Sequence, residues 1–335
     1  MNKKELLANL LFRTGIINLI KFYSDLFNKK LIILAYHRIY NISTNEDEFI
    51  SDIDLISATS KDFEWQVCFL KENFQVTTFR EYFNFIKVHK SAVIITFDDG
   101  FKDNYDIAYP ILKMHGIPAV FYVSVDYIGT KNNFWFELLV SIIRQIPNLH
   151  LSHICGLLGI SISDDRALLQ NLALQNMKKI PNTKRLEIID SIKDFCEKNN
   201  ILFLDNDAIP MSWDNVKEMS KNGMEIGSHT LSHPILTKLT LKQRDDEISK
   251  SKAQLEQKLD SECVSISYPN GSAGDYDEEL MNVVKTTGYV FGCSYISGVN
   301  DIDNLKIFEL RRLHVERYIT NNYFACMLVL PRLFH

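Results

Sequence analysis

Two adjacent carboxylates and two histidines four residues apart are the side chains of this sequence best suited to chemistry. The segment Thr96-Phe97-Asp98-Asp99-Gly100 ends an apolar, β-branched run in two acids and a glycine. Neighbours on an extended backbone point to opposite faces, but a strand-to-loop turn can bring both acids to one cavity. One carboxylate can then hold a cation while the other takes a proton. Asp-Asp-Gly is also good turn chemistry, and taken alone that is the simpler account. The segment Glu225-Ile226-Gly227-Ser228-His229-Thr230-Leu231-Ser232-His233 again runs a strand into polar residues. One helical turn across it would set both imidazoles on one face. Two imidazoles and a carboxylate suit a borderline cation such as Zn²⁺, and three protein ligands leave room for water, as in catalytic sites. Two solvated or core histidines are the bland alternative.

A third segment, Ser265-Ile266-Ser267-Tyr268-Pro269-Asn270-Gly271, is a strand followed by a tight turn that can aim a backbone N–H into a site as an oxyanion donor. A plain turn explains it as well. Ala35-Tyr36-His37-Arg38 and Leu310-Arg311-Arg312-Leu313-His314 each bring a titratable group to a strand end. A lone histidine is more often structural than catalytic, so neither counts without the others.

Strand ends of this kind need a scaffold that gathers them. Short β-branched runs at 31–36, 92–97, 118–123, 224–228, 264–268, 289–294 and 307–310 alternate with helical patterns at 61–73, 79–88, 104–115, 213–222, 241–259 and 277–287. Strand-helix-strand repetition predicts parallel βα units and the α/β class, whose sites sit at the C-terminal ends of strands. Residues 131–210 break the rhythm: 134–146, 165–178 and 183–199 are helical in pattern, with Asp205-Asn206-Asp207 and Pro210 as a return loop. We expect a helical insertion there, serving as a lid, a partner surface or plain scaffold. The expected organisation is an N-terminal amphipathic helical segment at 1–30, an α/β unit over 31–130 and 211–318, which the resemblance given below makes a barrel, and a C-terminal segment at 319–335.

Composition narrows the class. The 335 residues carry 37 Lys+Arg and 42 Asp+Glu, a net charge of −5, so nothing electrostatic argues for nucleic-acid binding. Hydrophobic residues at 46% and charged residues at 24% are ordinary for a globular chain and exclude disorder and coiled coil. The six cysteines contain no CxxC pair, which points to free thiols in a reducing compartment.

Together, TFDDG at 96–100, HTLSH at 229–233 and YPNG at 268–271 resemble the polysaccharide deacetylase (NodB homology) family, carbohydrate esterase family 4. AYHRI at 35–39 resembles the branch found in surface-polysaccharide biosynthesis. The resemblance covers roughly 31–130 and 211–318. It implies a distorted (β/α)₇ barrel and a divalent metal, usually zinc, held by Asp99, His229 and His233. Asp98 would be the base that deprotonates the metal-bound water attacking an acetamide carbonyl. Tyr268, Pro269, Asn270 and Gly271 would bind substrate, with the Asn270 N–H assisting the oxyanion, and a histidine would protonate the leaving amine. The implied activity is removal of an N-acetyl group from a sugar of a glycan or glycan precursor. An O-acetyl esterase, a non-sugar amide hydrolase and a silent glycan-binding barrel are the alternatives.

Two departures matter. Family members often carry an arginine where this chain has Ser267, and Arg312 resembles a replacement for it from the last strand. The late Leu-x-His motif is matched only imperfectly by Leu313-His314. Branches that open with a Tyr-His strand end are thought to use that histidine as the acid, which favours His37 over His314. Trp213, after Ser212, resembles the family's Ser-Trp segment; capping by Ser212 and packing of the indole explain it more simply than sugar stacking. No run is long and apolar enough for a signal-peptide core or a span. This suggests a cytoplasmic location, at the inner membrane face if the basic N-terminal helix touches lipid, and a lipid-linked, nucleotide-linked or oligosaccharide substrate. The run 323–330 reads either as a core helix or as a membrane contact.

Overall fold

The computed structural model describes residues 3–27, 29–41, 50–85, 91–201, 203 and 207–334. Residues 86–88 of the expected helix 79–88 and residues 205–206 of the expected return loop lie outside these. Seven strands form the centre: β1 (Lys30–Tyr36), β2 (Ala92–Phe97), β3 (Val120–Val123), β4 (Glu225–Ser228), β5 (Ser265–Ser267), β6 (Phe291–Ser297) and β7 (Leu310–His314). Each pairs in parallel with the next in chain order, and β7 returns to β1 with Leu313 opposite Leu34. The sheet is thus the closed, seven-stranded α/β barrel expected. A register shift between Leu310 and Arg312, and short strands at Val76–Thr77 beside β2 and Asn300–Asp301 beside β1, make it irregular.

Period-two alternation decides what each strand offers. Leu31 and Ile33 of β1, Ala92 and Ile94 of β2, and Val120 and Tyr122 of β3 cluster inside the barrel. Their neighbours Ile32, Leu34, Val93, Ile95 and Phe121 pack outward against helices such as Ser60–Asn73 and Tyr109–His115. The inward line of β2 therefore continues through Thr96 to Asp98. Packing inside is close: a Cβ on Gly227 of β4 would collide with the Tyr122 ring. Strand directions put all seven C-terminal ends, with every predicted site residue, at one mouth of the barrel.

Several elements differ from expectation. The last strand is Leu310–His314 and not 307–310, because a turn closed by Glu309 N–H on Lys306 O (2.8 Å) takes up the preceding apolar residues. The N-terminal segment is two helices, Lys3–Arg13 and Ile16–Phe27, broken at Thr14-Gly15. Among the described residues the insertion holds four helices: Trp135–Gln145, Asn148–Leu158, Arg166–Lys179 and Asn182–Lys198. The additional one, Asn148–Leu158, begins after Pro147 and ends at the left-handed Gly159. These four bury their apolar faces in a cluster of their own, shared with Phe101 and Ala208. The C-terminal helix Asn321–Val329 is core: Phe324 to Val329 are at most 5% exposed, which leaves that run unavailable to a membrane.

Candidate active site

At the mouth of the barrel the β1–β2 ladder runs one residue past the strand, Asp98 N–H donating to Tyr36 O at 2.9 Å. The chain then turns left-handed at Asp99 (φ 73°), and Gly100 N–H closes back on Asp98 O at 2.9 Å. Aspartate enters this region more readily than most residues with a Cβ. The turn brings the second carboxyl to the side of the first, and both line one cleft while only 2% exposed.

His229 follows β4, its N–H on Val123 O at 2.9 Å. The expected helical turn from His229 to His233 is not there. Thr230 (φ 67°) and His233 (φ 55°) are left-handed, and the segment is an irregular loop. It is pinned from outside by Glu247 of the helix Leu241–Leu259, which accepts from Leu231 N–H (2.8 Å), Ser232 N–H (3.0 Å) and the Ser232 hydroxyl (2.5 Å). A reciprocal cap between Thr240 and Gln243 fixes where that helix starts, hence where Glu247 points. The outcome is still convergence: the imidazole centroids are 4.7 Å apart.

Asp99 Oδ1 stands 3.4 Å from His229 Nε2 and 3.1 Å from His233 Nε2. It is buried, yet no donor is aligned on it as in a hydrogen bond. A tetrahedral ion with bonds of about 2.1 Å spaces its ligands by about 3.4 Å, so these three atoms sit as a ligand set would. His229 Nδ1 lies 2.8 Å from Ser267 O, a carbonyl that can only accept a hydrogen bond, so Nδ1–H donates to it and Nε2 turns its lone pair toward Asp99. Among the described residues this is the one group of three such side chains close enough to hold an ion. Burial would raise the Asp99 carboxyl, but the two imidazoles outweigh it and hold it well below the usual range. For His233 burial dominates and lowers the pKa, while Asp98 and Asp99 outweigh burial at His229 and raise it.

Asp98 has a different partner. Arg312, wholly buried on the inward face of β7, meets it with two parallel bonds, Nη1 to Oδ1 at 2.8 Å and Nη2 to Oδ2 at 2.7 Å. Its remaining donors reach Ser294 O (2.8 Å), Ser267 Oγ (3.0 Å) and Thr96 Oγ1 (3.3 Å). Ser267 fills the space beside the guanidinium and also donates to Asp98 Oδ2 at 3.3 Å. Burial pushes the Asp98 carboxyl up, but the charge of Arg312, then that of His229, wins and holds it at about 2.

Both candidate acids touch Tyr295. His37 meets its ring edge-on at 5.6 Å and lines the cleft. His314 stacks on the same ring at 3.7 Å and is not among the cleft-lining residues. His37 is held by its backbone, N–H on Ser57 Oγ (2.9 Å) and O accepting from Asn104 Nδ2 (2.7 Å). Of the turn 268–271, Tyr268 and Asn270 line the cleft and Pro269 does not. Gly271 (φ 59°) has no space for a Cβ, which would lie 2.7 Å from Tyr295 N. Trp213 packs beside Gly129 and away from the cleft.

Several contributors had no signal in sequence. The insertion walls one side of the cleft with Trp135, Phe136, Leu174 and Lys178. Phe134 and Phe136 set their rings against His233 at 5.6 and 5.2 Å, and the Arg185 guanidinium covers the Trp135 indole at 4.6 Å. Glu247 and Tyr295 reach the site from distant segments, while Asn104 comes from only six residues after Asp98.

The sequence model of the family Polysaccharide deacetylase matches residues 86–148 and 187–292, half of the chain. It includes all three motifs but neither His37 nor Arg312. YxkH of Bacillus subtilis (strain 168), named as a polysaccharide deacetylase, is 24% identical over 301 residues, 88% of this chain and 75% of YxkH. The poly-β-1,6-N-acetyl-D-glucosamine N-deacetylase of Staphylococcus epidermidis is 33% identical over 129 residues, 33% of this chain and 44% of that enzyme. Among solved structures, the Streptococcus pyogenes deacetylase PplD, in complex with acetate, has the same fold with a TM-score of 0.57 at 19% identity, over 88% of this chain and 95% of that one. IcaB from Ammonifex degensii gives 0.55 at 17% identity, over 88% and 94%.

Proposed function

Because this chain belongs to the polysaccharide deacetylase family, and is thus a carbohydrate deacetylase and a hydrolase, we propose that it removes N-acetyl groups from N-acetylhexosamine units of a glycan or glycan precursor, with a divalent cation as cofactor. The observation that carries this is the juxtaposition of Asp99, His229 and His233 with a separate, arginine-bound carboxylate, Asp98, in one cleft. The fragment match to a poly-β-1,6-N-acetyl-D-glucosamine N-deacetylase supports β-linked N-acetylglucosamine as the first substrate to try.

Each residue has a task that its surroundings support. Asp99, His229 and His233 would hold the cation, with zinc the simplest choice for two imidazoles and a carboxylate. When bound, that cation acidifies water and polarises the acetamide carbonyl. Asp98 accepts the proton of the attacking water at a carboxylate oxygen. A carboxylate held at about 2 is ionised at every working pH but is a weak base, so it needs water that is already acidic. Arg312 orients Asp98 and keeps it charged. His37, facing the cleft, donates the proton that lets the amine leave, so the N-acetyl C–N bond breaks to give acetate and a free amino sugar. Trp135, which lines the cleft, offers its ring to the sugar.

The experiment is acetate release from N-acetylglucosamine oligomers by protein stripped with chelator and then reloaded with zinc, cobalt or nickel. The expected result is release that disappears on stripping and returns on reloading. Release unaffected by thorough stripping, or none with any metal and any N-acetylated glycan, would remove this reading.

A further inference from the structure

The helices Lys3–Arg13 and Ile16–Phe27 are apolar on two faces. One face is committed to the fold: Ala8 and Ile17 are buried, and Leu7, Leu11 and Ile20 pack on the main core. Asn322 of the C-terminal helix donates to Asn9 at 2.6 Å, and Thr320 bonds the Glu5 carboxylate, so the first helix is fixed in place. The other face carries Leu6, Leu10, Ile16, Leu19 and Tyr23, exposed by 52, 59, 43, 63 and 62%. Steps of three and four residues make these one stripe on each helix. Single exposed apolar side chains are normal, but five on consecutive helices mark a surface made to be covered. Tyr318, 75% exposed, stands two residues before Thr320, at the same end of the molecule.

Charge identifies the cover. Residues 1–30 hold Lys3, Lys4, Arg13, Lys21, Lys29 and Lys30 against Glu5 and Asp25, a net +4 in a chain whose total is −5, which leaves −9 on the rest. Lys3 and Arg13 continue the Leu6–Leu10 stripe at three-residue steps, whereas Lys21 turns inward over the Phe74 ring at 4.9 Å and adds only long-range charge. Cations bordering an apolar stripe, with tyrosines beside it, match the headgroup region of an anionic bilayer. A second copy meeting this face on itself would set +4 against +4. No helix among the described residues is long and apolar enough to cross a membrane, so the pair would lie on the surface.

We propose that the N-terminal helix pair docks this protein on an anionic lipid bilayer, its leucines among the acyl chains and Lys3 and Arg13 at the phosphates. The test is flotation of the purified full chain with vesicles of phosphatidylcholine alone and of phosphatidylcholine mixed with phosphatidylglycerol. The wild type is expected to float with the mixed vesicles, to be released by salt, and to bind phosphatidylcholine weakly. Leu10→Glu with Leu19→Glu is expected to lower vesicle affinity by about 100-fold while leaving the thermal midpoint unchanged, since both side chains face solvent. Should that variant be destabilised, Leu6→Gln with Tyr23→Ser serves the same purpose. A wild type that stays in the soluble fraction overturns the proposal, as does a stable variant that floats equally well. A dimer that the substitution dissociates, without vesicle binding, assigns the face to a second copy. Acetate release plays no part in the readout, so this proposal and the catalytic one fail separately.

Discussion

Arg312 and Asp98, 214 residues apart in the chain, meet through two parallel hydrogen bonds of 2.8 and 2.7 Å inside a barrel that buries both. Of the two carboxylates at the end of β2, only Asp98 is paired with a permanent cation, while Asp99 faces imidazoles that can share a metal. One turn therefore holds two acids in two different electrostatic settings. Environment, and not residue type, divides their roles.

Arg312→Met tests the positioning of Asp98. Without the guanidinium, burial is opposed only by the neighbouring histidines and the Asp98 pKa rises. The ionised form is the active base, so a higher pKa moves the acidic limb of the kcat/KM profile to higher pH. We expect that shift together with a fall of roughly 100-fold at neutral pH, partly recovered in Arg312→Lys. An acidic limb that does not move would assign Arg312 to packing alone.

Removing a ligand should remove the cation. His233→Ala is expected to hold less than a tenth of the metal per chain found in the wild type, measured by elemental analysis after dialysis. Adding zinc should raise the thermal midpoint of the wild type and leave that of the variant unchanged. Equal metal content in the two proteins would contradict the assignment of the ligand set.

Glu247 touches no ligand atom but pins the loop between His229 and His233 by three hydrogen bonds. Glu247→Ala is expected to weaken metal affinity about 10- to 100-fold, as loss of outer partners commonly does. Activity at saturating metal should largely return. Chelator competition measures the first effect and metal-titrated turnover the second.

Trp135 belongs to the insertion and lines the cleft beneath Arg185. Trp135→Ala is expected to raise KM for oligosaccharides by about tenfold, with a smaller change in kcat. A KM unchanged over a series of chain lengths would make the insertion's wall a bystander to substrate.

How far the sequence could be read depends on the range of the contacts involved. The α/β class was legible because strand and helix patterns are local, whereas closure into a barrel came through the family resemblance; the acid pair was legible because β2 is a clean β-branched run ending in a turn. The fold of residues 229–233 was not, because left-handed Thr230 and His233, with Glu247 of another helix holding Leu231 and Ser232 between them, replace the helical turn that HxxxH suggests. The last strand was misplaced by three residues because Ile307 and Phe308 have strand composition but lead into a turn at Lys306–Glu309. Trp135 was invisible as a cleft residue because its position depends on how four insertion helices stack against Phe101. Arg312 could be singled out only through resemblance, since nothing local in LRRLH tells which arginine turns inward until the strand's register is known.

The most direct test of the account is turnover and metal content measured together in Asp98→Asn. The substitution keeps shape and size and removes the proton-accepting charge. The account predicts that the variant holds as much metal as the wild type while acetate release from N-acetylglucosamine oligomers falls by about 10³-fold. Turnover equal to that of the wild type at equal metal content would contradict it.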